Sequence, residues 1–118
     1  MYFCLHSAMP VYRIYRTDGF INHHASLTNV EKERINRFVY QLTEKGPTVG
    51  KPLGYLFFRE KKFDGKRMFF LIYAEWQTIL LADVTDKKEQ ASTINEIRNE
   101  LPLLKEFVRQ KLLSDEII

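Results

Sequence analysis

Apolar residues at Ile35, Phe38, Val39 and Leu42 fall at i, i+3, i+4 and i+7, giving residues 28–45 the hydrophobic stripe of an amphipathic helix. Thr28 with Glu31 three residues later forms a capping box at its start, and Gly46 stops it. Lys32, Glu33, Arg37 and Gln41 make its other side, which reads as a solvated face. Upstream, residues 11–16 are rich in aromatic and branched side chains and run into Thr17-Asp18-Gly19, which predicts a first strand. Residues 20–27 show no clear period. Residues 46–54, with three glycines and two prolines, read as a structured connection. Residues 56–73 then join two aromatic, β-prone segments through Asp64-Gly65, the strongest local signal for a hairpin. A short turn over residues 74–77 leads to residues 78–84, a continuous apolar run suited to a strand covered on both faces. Residues 85–89 break the pattern. Ile94, Ile97 and Leu101 set a helical stripe, Pro102 restarts the chain, and Leu103, Leu104, Phe107, Val108 and Leu112 set a second stripe; both read as core. The class expected is α+β: a small antiparallel meander with an N-terminal helix packed on it and C-terminal helices, in one domain over residues 1–118.

Charge changes this picture in one place. The net charge is +3, a mild lean toward anionic partners, but residues 51–67 hold six Lys or Arg against Glu60 and Asp64, while residues 89–118 are net acidic. Arg59, Lys61, Lys62, Lys66 and Arg67 would gather across the paired strands beside the turn. Lysines that keep an edge hairpin soluble are one explanation, and a phosphate-binding surface is the other. Cys4 is the sole cysteine, which excludes an intrachain disulfide and a thiolate cluster. The adjacent His23 and His24 diverge on either a strand or a helix, so no metal site and no cofactor is expected. Gly46-Pro47-Thr48-Val49-Gly50-Lys51 mimics a phosphate loop, but its glycine spacing is one residue short, Pro52 follows the lysine, and a helix precedes it. Residues 1–9 lack a basic leader, carry His6 and are too short for a membrane span, so a soluble, unprocessed cytoplasmic protein is expected.

The order strand, helix, three-stranded meander, C-terminal helix, with basic residues on the meander, resembles the RelE/ParE superfamily of type II toxin–antitoxin toxins. The segments that carry it are Lys51-Pro52-Leu53-Gly54, Arg59-Glu60-Lys61-Lys62, Gly65-Lys66-Arg67, Leu71-Ile72-Tyr73 and Asp86-Lys87-Lys88-Glu89-Gln90 with Thr93-Ile94. The resemblance covers about two thirds of the chain, over residues 28–112, and looks closest to the RelE-like branch found in archaea and some bacteria. It implies a ribosome-dependent endoribonuclease that cuts messenger RNA in the decoding site, silenced by a cognate antitoxin and able to join it on operator DNA. Residue by residue, it implies that the family's two lysines match Arg59 and Lys61, its phosphate-gripping arginine matches Arg67, and the basic residue after the last strand matches Lys88 or Lys87. The family's C-terminal aromatic acid–base residue has no equivalent, because Ile94 falls near that place and no Tyr follows Tyr73.

Cleavage by attack of a 2′-hydroxyl on the adjacent phosphorus needs a proton acceptor, a charge stabiliser and a proton donor. Crowding by Arg59, Lys62, Lys66 and Arg67 would favour a deprotonated Lys61 as base or electrostatic helper. Arg67 would clamp the phosphate, Arg59 and Lys66 would add charge, and Lys88 or Lys87 would stand on the donor side. Tyr73, Phe63 and Phe69 are the aromatic candidates for stacking an RNA base, with core the other use for them. Glu60 and Asp64 would hold the cations in place or supply a carboxylate base. The competing readings act by binding alone: a gyrase-type inhibitor, an inactive corepressor, or a single-strand RNA-binding module. The toxin reading adds an exposed apolar groove for an antitoxin helix or strand.

Overall fold

The computed structural model describes residues 11–117. The expectations placed on residues 1–9, with Cys4 and His6 among them, lie outside the described residues. The chain runs β1 (Arg13–Arg16), α1 (Asp18–Ala25), α2 (Asn29–Lys45), β2 (Lys51–Tyr55), β3 (Phe58–Phe63), β4 (Lys66–Tyr73), β5 (Thr78–Asp86), α3 (Gln90–Asn99) and α4 (Leu101–Ile117). The strands form one sheet in the order β1-β5-β4-β3-β2, parallel between β1 and β5 and antiparallel elsewhere. The α+β class and the meander follow the sequence pattern. Two elements did not show in it. Residues 51–55 are a strand, not a connection, and the stretch after residue 19 belongs to α1, capped by the Thr17 hydroxyl, which accepts from the Phe20 N–H at 3.0 Å.

The expected capping box is present. Thr28 Oγ1 accepts from the Glu31 N–H at 3.1 Å and Glu31 Oε1 accepts from the Thr28 N–H at 3.0 Å, which satisfies two of the donors every helix start leaves open. The stripe it launches, Ile35, Phe38 and Leu42, packs with Phe20 on Met68, Phe70 and Ile72, forming the core on one face of the sheet. The opposite face buries Phe58, Phe69 and Leu71 under Ile97 and Val108. Helices thus cover both faces, and β4 is buried almost end to end. Leu103 departs from its stripe, being 70% exposed.

An irregularity in β5 re-aims its last residues. Phe69 pairs with Asp83 but Phe70 with Leu81, so one extra residue is inserted and the in–out alternation is reset. Before it, Leu80 and Ala82 face α3 and α4; after it, Val84 faces α1 and α2, which leaves Thr85 on the α3 side. No helix among the described residues is long and apolar enough to cross a membrane.

Candidate nucleic-acid interface

The basic cluster is sorted by its turn. Asp64 and Gly65 have φ of 46° and 77°, the left-handed pair that a two-residue hairpin turn demands, and Gly65 supplies one of them without steric cost. A two-residue turn fixes the register: Phe63 pairs with Lys66, Lys62 with Arg67, and Lys61 with Met68. Paired residues share a face and neighbours alternate. Lys62, Arg67 and Thr85 therefore form one row on the α3 side. Lys61 belongs with Met68 on the α2 side, where its Nζ stands 5.5 Å above the Phe38 ring. Arg59 and Lys66 are also on that side, paired with Phe70 and Phe63.

The expectation of one crowded cluster is thus corrected, because the sheet itself separates Lys61 from Arg67. Arg59 is engaged as a brace, its Nε donating to the Leu56 carbonyl at 2.7 Å and its Nη1 to the Val49 carbonyl at 3.2 Å. Lys66 Nζ pairs with Asp86 at 2.7 Å; that hydrogen bond raises the lysine's pKa and lowers the carboxyl's. Asp64 is held by Arg34 Nε at 3.1 Å. Tyr73 is buried against Trp76 at the far end of β4, about 20 Å from Arg67 at ~3.3 Å per residue, so it cannot stack a base beside that arginine. Burial drives its hydroxyl pKa upward. Phe69 is core, and Phe63 is packed half-buried against the α2 layer.

What remains on the α3 side is compact. Arg67 is only 7% exposed. Its Nη1 donates to the Lys66 carbonyl at 3.2 Å, while its Nε is buried without a partner, as is Thr85 Oγ1 in the same row. Among the described residues no carboxylate pairs with this guanidinium. Glu60 is on the same face, 2% exposed, diagonal to Arg67 in the ladder, and accepts from Gln90 Nε2 at 2.9 Å. The turn after β5 closes against the hairpin, where the Lys87 N–H donates to the Gly65 carbonyl at 3.1 Å, leaving Lys87 and Lys88 exposed beside it. Thr85 and Gln90 were given no site role from sequence, although Gln90 ends one of the segments that carry the resemblance. The two-residue turn was the available signal, since counting pairs outward from it assigns every side chain to a face.

A buried guanidinium with its Nε left open, beside exposed lysines, is suited to an oxyanion that would accept charge-assisted hydrogen bonds from it. Among the described residues no three His, Cys, Asp or Glu side chains converge as metal ligands.

A scan of protein-family models and a search of curated proteins find no match to the sequence. Solved structures do match. An arginine-to-alanine double mutant of the E. coli toxin RelE in the free state superposes with a TM-score of 0.62 at 13% identity, over 74% of this chain and 98% of that one. The toxin–antitoxin complex RelBE2 from Mycobacterium tuberculosis gives 0.58 at 21% identity, over 67% and 94%. The intact E. coli RelBE toxin–antitoxin complex gives 0.57 at 14% identity, over 64% and 95%. The chain has a RelE-like fold, as the order of its segments implied.

Proposed function

We propose that this chain is the toxin of a toxin–antitoxin pair and acts as a metal-independent endoribonuclease on messenger RNA at the ribosome. The observation that carries the reading is Arg67, buried with an unpartnered Nε in one row with Lys62 and Thr85, at the basic end of a RelE-like sheet. In this reading Arg67 grips the scissile phosphate and Lys62 and Thr85 meet its non-bridging oxygens as negative charge develops. Glu60, on the same face, takes the proton of the attacking 2′-hydroxyl, a role that Lys61 on the other face cannot share with Arg67. As the bond from phosphorus to the departing 5′-oxygen breaks, Lys88 or Lys87 returns a proton to that oxygen. The partner is a cognate antitoxin, an assignment supported by the RelBE complexes among the matched structures. Phe57, exposed in the turn between β2 and β3, and Leu101 and Pro102 at the start of α4 line a largely apolar groove that an antitoxin segment would cover.

A binding-only action is the second reading, favoured by the lack of any Tyr after Tyr73. One experiment separates the two. The chain and its Arg67→Ala variant are induced from a tight promoter while growth is followed and 5′ ends of cellular messenger RNA are mapped. Growth arrest with new ends inside translated codons, both lost with Arg67→Ala, is the expected result. Arrest without new ends would replace the nuclease by an inhibitor that acts through binding.

A further inference from the structure

The side of the sheet that does not carry Arg67 holds a groove of about 440 Å³ between α2 and β3. Arg34, Arg37, Lys61 and Lys62 line it with Gln41, and no carboxylate is among its lining residues. We propose that this groove is a second site for an RNA phosphodiester backbone, distinct from the Arg67 row and joined to it around the edge of β3. The proposal rests on the chain being an RNA-binding protein, and it does not require that it cleave RNA.

Three observations carry it. Charges placed only for solubility are dispersed or alternate in sign, whereas here four cations line one concavity without a carboxylate among the lining residues, and Asp64 beyond it is tied to Arg34 at 3.1 Å. Arg34 and Arg37 are three residues apart on α2, hence about 5–6 Å apart on one helix face, and they turn toward Lys61. The floor is aromatic: Lys61 Nζ sits 5.5 Å above Phe38, which holds the ammonium at the groove, and half-buried Phe63 lines it as well. Such a combination of cations and rings tracks a nucleic-acid strand.

Continuity with the Arg67 row comes from the strand edge. The β2 ladder covers β3 only from Phe58 to Glu60, so residues 61–63 form a free edge. Lys62 stands there, opposite Arg67 in the ladder and yet lining the groove with its long side chain. A strand held at Arg67 can therefore pass Lys62 and continue along α2.

The phosphodiester backbone can come from the single strand itself or from folded ribosomal RNA, and the test distinguishes them. Wild type and the exposed double variant Arg37→Gln/Lys61→Gln are compared for binding a fluorescent 2′-O-methyl oligonucleotide of about 12 nucleotides. This probe cannot undergo 2′-hydroxyl attack. Fluorescence anisotropy from about 50 to 200 mM salt yields the slope of log K against log salt, and the variant is expected to lose about 1.4 of that slope, ~0.7 per phosphate contact. Co-sedimentation with ribosomes is measured in parallel. Loss with the oligonucleotide assigns the groove to the single strand; loss confined to ribosomes assigns it to structured RNA, and either result supports the site. Unchanged slope together with unchanged ribosome binding, in a variant with a wild-type urea midpoint, overturns it. Both readouts are independent of cleavage, so failure of the nuclease reading is separately visible.

Discussion

Replacing Arg67 by methionine should make the protein more stable while abolishing its proposed activity. Arg67 is 7% exposed, and its Nε is buried without a partner. An unsatisfied buried donor costs about 1–3 kcal/mol, and more when it carries charge. Against this stands one hydrogen bond, from Nη1 to the Lys66 carbonyl at 3.2 Å. Being long, it is worth about 1 kcal/mol, the level of an ordinary neutral bond. Methionine keeps most of the buried aliphatic stem and discards the charge, and such replacements of buried ions are neutral or stabilising. The expected balance is a gain of about 1 kcal/mol, or a rise in Tm of about 4 °C for a chain of this size. Urea unfolding followed by circular dichroism reads it as a higher midpoint at unchanged m. A second arm uses sulfate as a phosphate probe. Bound at ten times its Kd it should add about 1.4 kcal/mol to wild type beyond what the methionine variant gains. A loss of more than about 1 kcal/mol in Arg67→Met would refute the reasoning, because Arg67 would then be a structural residue whose partners hold the fold together.

Three further outcomes test the architecture. Thr28→Ala removes the hydroxyl that accepts from the Glu31 N–H and should lower stability by about 1 kcal/mol in urea, leaving RNA binding unchanged. Gly50→Ala places a methyl 2.7 Å from Phe70 Cζ and 3.2 Å from the Glu60 carbonyl at a φ of +87°, so a loss of about 2–4 kcal/mol is expected, and a loss under about 1 kcal/mol would contradict the packing described. On α4, Arg109 and then Gln110 hold the Glu106 carboxyl down to about 2. A depressed carboxylate stabilises above its unfolded pKa of about 4.3 and loses that contribution as pH falls toward 2, so the Tm difference between wild type and Glu106→Gln should shrink between about pH 5 and pH 2.

Periodicity was enough for most of the frame. The stripe of Ile35, Phe38 and Leu42, the capping box, the Asp64-Gly65 turn and the apolar run of β5 are each local signals, and each formed as patterned. What the pattern hid depends on partners distant in sequence. β2 carries Pro52 and Gly54, both poor strand residues, and it forms because the edge of β3 offers it unpaired backbone groups. α1 is a helix of eight residues that Thr17 anchors to β5, donating from its hydroxyl to the Ala82 carbonyl at 2.7 Å, an interaction no local window contains. The candidate site was half legible. Arg67 and Lys61 were grouped by the resemblance and by crowding across the paired strands, but the register puts them on opposite faces, since a shift of one residue moves a side chain to the other side of a sheet.

The distribution of buried polar groups argues in turn for where function resides. Among the described residues, five polar or charged ones are buried: Glu60, Arg67, Thr78, Thr85 and Thr93. Thr78 lies at the far end of β5 and is satisfied locally, its hydroxyl donating to the Trp76 carbonyl at 2.8 Å. The other four belong to the layer between the hairpin end of the sheet and α3: Glu60 and Arg67 diagonal in the ladder, Thr85 beside Arg67, and Thr93 one turn along α3 from the Gln90 that bonds Glu60. A fold optimised for stability would fill that layer as it fills the opposite one, where Met68, Phe70 and Ile72 meet Phe38 and Leu42. Here it keeps a guanidinium nitrogen and a threonine hydroxyl without partners. Buried donors left open cost free energy in every folded molecule, and an anionic ligand that accepts from them offsets that cost only while it is bound. The same two atoms should therefore set both the stability gained by Arg67→Met and the affinity for phosphate lost with it, and the two quantities should move together across Arg67 and Thr85 variants.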